Sequence, residues 1–252
     1  MSAILTDLLQ KSIGRTSRML MRDHMELVHL QYSKDVEKFV SSSVARVKQD
    51  MRRFFEEDRS IKVLFTDEVQ DLEQCEDEVC VINPIEGIKN FSVALPFFSI
   101  VMFMRQKGRT STSACLIDFP ALQKTMYASP EEGAWITQSL PHLITQKLKC
   151  PKQSKKGNKK EIVICSDDAR DKDNYNATKV LNFGSLTYEA FCMFSNSITA
   201  CFSKEVDVAT KEALTLMARE YGGQTSHAKG KKFEIYLPNF HAKETLTKFY
   251  KI

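Results

Sequence analysis

The sequence predicts a mixed α/β protein built in layers, and three features carry that expectation. Two long N-terminal stretches repeat apolar residues at helical spacing. Short β-branched and aromatic runs bounded by turn residues follow them. In the second half such strands alternate with helical stretches, the pattern that stacks helices on a sheet. At 252 residues, 42% apolar and 27% charged, the chain can build two tightly joined subdomains.

The elements read in order. Residues 3–31 carry Leu5, Leu8, Leu9, Ile13, Met19, Leu20, Met25, Leu27 and Leu30 at helical spacing, weakened in the middle by Gly14. A second helix, 36–57, gathers Val36, Phe39, Val40, Val44, Val47, Met51 and Phe54 on one face. Strand 61–65 leads into the acidic stretch 66–78, too polar for core and long enough for a lid. Strand 79–82 enters the turn 83–87. Strands are expected at 97–106, 111–118 and 123–128, with Lys107-Gly108 as a hairpin turn. Beyond residue 160 come strand 161–165, a polar helix-prone stretch 167–174, strand 178–183 and a helix 184–197 opening on Gly-Ser. Strand 198–202, helix 207–223 ended by Gly222-Gly223, strand 233–237 and helix 241–250 complete the chain. The change of composition at 144–160 separates an N-terminal subdomain, 1–145, carrying the turn 83–87, from a C-terminal one, 146–252.

Several classes are disfavoured. A net charge of +4 is too mild to argue for nucleic acid or membrane. No apolar run reaches the roughly 20 residues that span a bilayer. The N-terminus carries Asp7 and Lys11 inside its apolar pattern, a poor signal peptide, so the expected location is cytoplasmic. The 7 cysteines include no Cys-x-x-Cys pair and read as free thiols in a reducing compartment, Cys75 the most exposed. The histidines form no ligand pattern, and Trp135 reads as packing. The stretch 144–160 holds lysines at 147, 149, 152, 155, 156, 159 and 160 and no acid. It fits an RNA or phosphate-polymer contact or a solvated loop. The lack of interleaved aromatics favours the loop.

The informative segment is 79–91, VCVINPIEGIKNF. A buried strand ends in a polar residue, Pro84 stiffens the turn, and Gly87 permits an unusual backbone. Backbone N–H groups after such a turn can converge on an anion. Glu86 stands beside them, and Asp67 and Glu68 follow another strand's end. Carboxylates at two strand ends suit a divalent cation, although acids at strand ends are more often simply solvated.

In the order of these elements the chain resembles the inositol monophosphatase family, which includes the bacterial extragenic suppressor proteins. The family's Asp-Pro-(Ile/Leu)-Asp-Gly-Thr-Thr-Asn-Phe stands here as Asn83-Pro84-Ile85-Glu86-Gly87-Ile88-Lys89-Asn90-Phe91. Thr66-Asp67-Glu68 matches its upstream acidic pair, and Leu95-Pro96-Phe97-Phe98 its following strand. Residues 106–118 and 129–135 match its hairpin and the turn after it. Gly184-Ser185 matches a helix start, and Arg219-Glu220-Tyr221-Gly222-Gly223 a helix end. The resemblance covers nearly the whole chain, most weakly 136–178. It implies an αβαβα sandwich, a homodimer, and Mg²⁺-dependent hydrolysis of an inositol or sugar monophosphate. Because some bacterial members are linked to transcription, a transcription or RNA partner is a further expectation.

The departures from the motif carry the functional argument. By position the metal ligands are Asp67, Asn83, the carbonyl of Ile85, Glu86 and Thr210, so only Asp67 and Glu86 keep a carboxylate. Glu86 is longer than the family's Asp by about 1.5 Å. Asp67, Glu68 and Ile88 hold the catalytic positions, Ile88 replacing a hydroxyl that orients the attacking water. The substrate and phosphate contacts fall on Gly87, Ile88, Lys89, Gly184, Ser185, Leu186 and Ser203. Mg²⁺ demands near-octahedral oxygen ligation, and two-metal hydrolysis needs both ions. The reading is therefore a pseudoenzyme with impaired or lost catalysis and a binding or regulatory role. The alternative is an active Mg²⁺-dependent inositol-1-monophosphatase with a rearranged metal site, Glu68 serving as an extra ligand. Lys89 either points to solvent or partly fills the vacated metal position, leaving a metal-poor anion pocket. Reinstating the family residues at 83, 86, 88 and 210 is expected to recover some activity.

Overall fold

The computed structural model describes residues 2–31, 35–56, 61–69, 72, 77–139, 142–150, 163–166, 171, 177–195, 197–226 and 232–237. Helices α1 (Ser2–Leu30) and α2 (Val36–Glu56) lie on one face of a seven-stranded sheet. Its strands run in sequence order: β1 (Ile61–Phe65), β2 (Glu78–Glu86), β3 (Ser99–Arg105), β4 (Ala114–Phe119), β5 (Lys124–Ser129), β6 (Gly133–Gln138) and β7 (Ile144–Lys147). β1 and β2 are parallel; every later pair is antiparallel. A one-turn helix α3 (Ile88–Ser92) follows β2. Helices α4 (Leu186–Phe194) and α5 (Val208–Tyr221) sit between this sheet and a five-stranded one. That second sheet has β8 (Val163–Ser166), β9 (Lys179–Leu181), β10 (Ala200–Ser203), β11 (Gln224–Ser226) and β12 (Phe233–Tyr236) in the order β11-β12-β10-β8-β9. The result is the layered α/β sandwich that the sequence predicts. No described helix is long and apolar enough to cross a membrane.

Alternation along the first sheet builds both cores. Cys80, Ile82, Ile100, Met102 and Leu116 face α1 and α2. Val79, Val81, Val101, Phe103 and Ile117 face α4 and α5. α1 is unbroken through Gly14 because Leu5, Leu9, Ile13, Leu20 and Leu27 are buried along one stripe. That packing outweighs a glycine penalty of about 1 kcal/mol.

Four strands differ from expectation. β2 runs on through Glu86, across most of the stretch 83–87 read as a turn. Residues 133–135, read as part of the turn 129–135, join 136–138 in β6, with Trp135 opposite Tyr127. Lys147, assigned to a lysine loop, ends β7; its ammonium donates to the Glu132 carbonyl at 2.9 Å and lies over the Trp135 ring. Lysines 152, 155, 156, 159 and 160, Cys75 and the helix at 241–250 lie outside the described residues, as does the stretch 167–174 apart from Asp171. None of the six described cysteines forms a disulfide, and Cys80, Cys115, Cys165 and Cys201 are buried. Short β11 is also new.

Asp118, buried on β4, gives the fold a pH signature. Burial pushes its carboxyl from an ordinary 3.8 up to about 6, with Thr125 and Ser17 hydroxyls offsetting part of the rise. The native state therefore binds the proton more tightly than the unfolded chain does. The stabilisation is complete below pH ~4 and is lost as pH rises through ~6, a change of about 3 kcal/mol. Urea titrations should show the wild-type advantage over Asp118→Asn shrinking by about 2.4 kcal/mol from pH 4 to pH 7. Parallel stability curves would count against it.

Candidate functional site

The site grows from the irregular end of β2. Asn83 pairs with Val101 and Glu86 with Ser99, so one extra residue bulges from β2. Such a bulge re-aims the side chains beyond it. Gly87 follows with φ 75°, and a Cβ there would meet the Phe97 carbonyl oxygen at 2.5 Å and Ser185 Cβ at 3.1 Å. Buried Asn90 clamps the loop by donating to the carbonyls of Phe97 at 2.9 Å and Phe183 at 2.8 Å. Beneath it Phe91 packs edge-on to Phe98, with the His24 ring against both.

Glu86 turns toward the second half of the chain. Its Oε1 accepts the Leu186 N–H at 3.0 Å. Its Oε2 accepts the Ser185 hydroxyl at 2.6 Å and the Thr187 hydroxyl at 2.5 Å. Ser185 is also the N-cap of α4, accepting from the Tyr188 N–H. Burial raises the Glu86 pKa; the Ser185 and Thr187 hydrogen bonds oppose the rise and the Asp207 charge adds to it.

A second network closes beside it. Asp207 caps α5, accepting the Thr210 N–H at 3.0 Å and the Thr210 hydroxyl at 2.6 Å. The Asn83 amide donates to the same carboxylate at 2.8 Å, while its carbonyl accepts the Ile85 N–H at 3.2 Å. Sequence reasoning missed Asp207. The signal was the Asp207-x-x-Thr210 spacing at a helix start, an N-cap pattern.

The acids after β1 are held by α2. Both oxygens of Asp67 accept from Lys48, at 2.7 and 2.6 Å, and this bond lowers the Asp67 pKa. Glu68 pairs with Arg52 and accepts the Phe65 N–H; partial burial pushes its pKa up, but these donors outweigh it and the net shift is downward. Of the two alternatives for Lys89 the structure shows the exposed one: Lys89 and Ile88 are exposed on α3, and Lys48 brings the ammonium to Asp67. Gly184 (φ 69°) packs on the Asn90 amide, and Leu186 is buried at the start of α4. Ser203 ends β10 with its hydroxyl on the Glu205 carbonyl, 2.7 Å away. Thr210 is buried.

Mg²⁺ needs several oxygen lone pairs aimed at one point. In this site the oxygens of Glu86, Asp207, Asp67 and Glu68 already face N–H, O–H or cationic donors. Among the described residues no three Asp, Glu, His or Cys side chains gather as a cation would require. The donor set so engaged does not fit the metal that the motif implies, and Glu68, the expected extra ligand, is paired with Arg52.

No family model and no curated protein matches the sequence. Solved structures do match its fold. SuhB of Mycobacterium tuberculosis superposes with a TM-score of 0.76 at 17% identity, over 99% of this chain and 98% of that one. Inositol monophosphatase II of Staphylococcus aureus gives 0.75 at 15% identity, over 98% of each. Inositol monophosphate-bound SaIMPase-II gives 0.69 at 14% identity, over 96% of this chain and 92% of that one. The chain has the inositol monophosphatase fold.

Proposed function

We propose that this chain is a diverged member of the inositol monophosphatase family that does not hydrolyse phosphate esters and serves as a binding or regulatory protein. One observation carries the reading: both carboxylates at the motif positions, and Asp207 beside them, are bonded to donors of the chain itself. Lys48 stands against Asp67, Ser185, Thr187 and Leu186 against Glu86, and Asn83 and Thr210 against Asp207. Ile88, exposed on α3, adds no hydroxyl to hold a water. A site that does not gather ions lacks their clamp on the attacking and leaving oxygens, the charge stabilisation on which two-metal hydrolysis depends.

The test is direct. Purified protein given inositol-1-phosphate, fructose-1,6-bisphosphate or a chromogenic phosphate ester, with Mg²⁺ or Mn²⁺, should release phosphate no faster than buffer. Turnover near ~1 s⁻¹, within the ordinary enzymatic range, would overturn the proposal.

A further inference from the structure

We infer that Glu86 is a resident ligand: its carboxylate fills the anion seat made by the Ser185 and Thr187 hydroxyls and the Leu186 N–H, and latches α4 shut over the loop after β2. The inference deepens the non-hydrolytic reading and rests on it. The carboxylate comes from the first sheet and all three of its donors from the start of α4, 99 to 101 residues away in sequence. Backbone N–H and hydroxyls at a helix start form the type of seat that takes a phosphate or carboxylate from outside. Here the chain supplies the carboxylate. A one-methylene-shorter Asp would stop about 1.5 Å short.

The surroundings are closely packed. A Cβ on Gly87 would already touch Ser185 Cβ at 3.1 Å, so loop and helix start are in contact. Asn90 ties the same loop to the Phe183 carbonyl, and the rings of Phe97, Phe183 and Tyr188 pack edge-on or tilted across the joint. The Asp207 charge adds a field hostile to a phosphate. Without Glu86, the hydroxyls of Ser185, Thr187 and Ser99 can still bond one another, as they do at 3.1 and 2.8 Å. The Leu186 N–H would lose its partner.

Removing the occupant should turn the latch into a receptor. Glu86→Ala is expected to lower the melting temperature by about 6–12 °C. Sodium formate, compared with sodium chloride at equal ionic strength, should restore part of the loss saturably and leave the wild type unmoved. Formate acting no differently from chloride on the variant, or stabilising the wild type as strongly, would overturn the latch. Should Glu86→Ala not fold, Glu86→Gln combined with Ser185→Ala decides. A latch makes the double loss smaller than the sum of the single losses; additive losses reject it. Phosphatase turnover is read separately, so wild-type hydrolysis alongside formate rescue would reject the non-hydrolytic reading and leave the latch standing.

Discussion

Gly87→Ala is expected to destabilise the protein by about 4 kcal/mol or more, a large share of the roughly 5–15 kcal/mol that holds a domain together. Two effects add. At φ 75° an L side chain sits in the left-handed region, at a cost of about 1–2 kcal/mol. The new Cβ would also lie 2.5 Å from the Phe97 carbonyl oxygen. That oxygen cannot move freely, because the Asn90 amide holds it at 2.9 Å. Gly108→Ala separates the two effects. Its φ is 70°, but nothing stands within 4 Å of its Cβ, so only the backbone cost of about 1–2 kcal/mol should appear. Urea unfolding of both variants measures the difference. If they lose equal stability, the loop does not pack against Phe97 as described.

That contrast shows what was legible in the sequence and why. Gly87 and Asn90 belong to a motif whose frame is local, and a turn of that composition announces itself. The long helices were legible as well, since a buried stripe such as Leu9, Ile13, Leu20 and Leu27 depends only on spacing. The occupants of the site were not legible. Glu86 reads as a metal ligand until its donors, about a hundred residues on, are brought to it by the packing of α4 between the sheets. Lys48 lies one helix before Asp67, and nothing in spacing says that the ammonium bridges the gap. Lys89 was the more visible lysine because it stands inside the motif, yet α3 turns it outward. Sequence reports substitutions one position at a time. Whether a substituted site is merely weakened or has been rewired depends on contacts between distant segments.

Asn83→Asp combined with Thr210→Asp, two steps back toward the motif, should destabilise the protein by about 5 kcal/mol in metal-free buffer at pH 7.5 and should not recover activity. The resemblance alone argues the opposite, since each change adds a carboxylate at a ligand position. The structure supplies the reason. The Asn83 amide donates to the Asp207 carboxylate at 2.8 Å, and a carboxylate in its place would set two like charges in contact. Thr210 is buried and donates to the same oxygen at 2.6 Å, so its replacement removes a second donor and adds a third charge where water does not reach. Carboxylates in contact can share a proton as the pH falls, so the loss should shrink toward pH 5. Added Mg²⁺ should recover only part of it, because Asp67 stays bound to Lys48 and Glu86 to the start of α4. Urea unfolding of the single and double variants at both pH values, with and without Mg²⁺, measures each term. A double variant as stable as the wild type without metal would mean that Asp207 is not held by Asn83 and Thr210. Full recovery in Mg²⁺ with hydrolysis of inositol-1-phosphate would mean that the ancestral site lies two substitutions deep, not rebuilt around the chain's own donors.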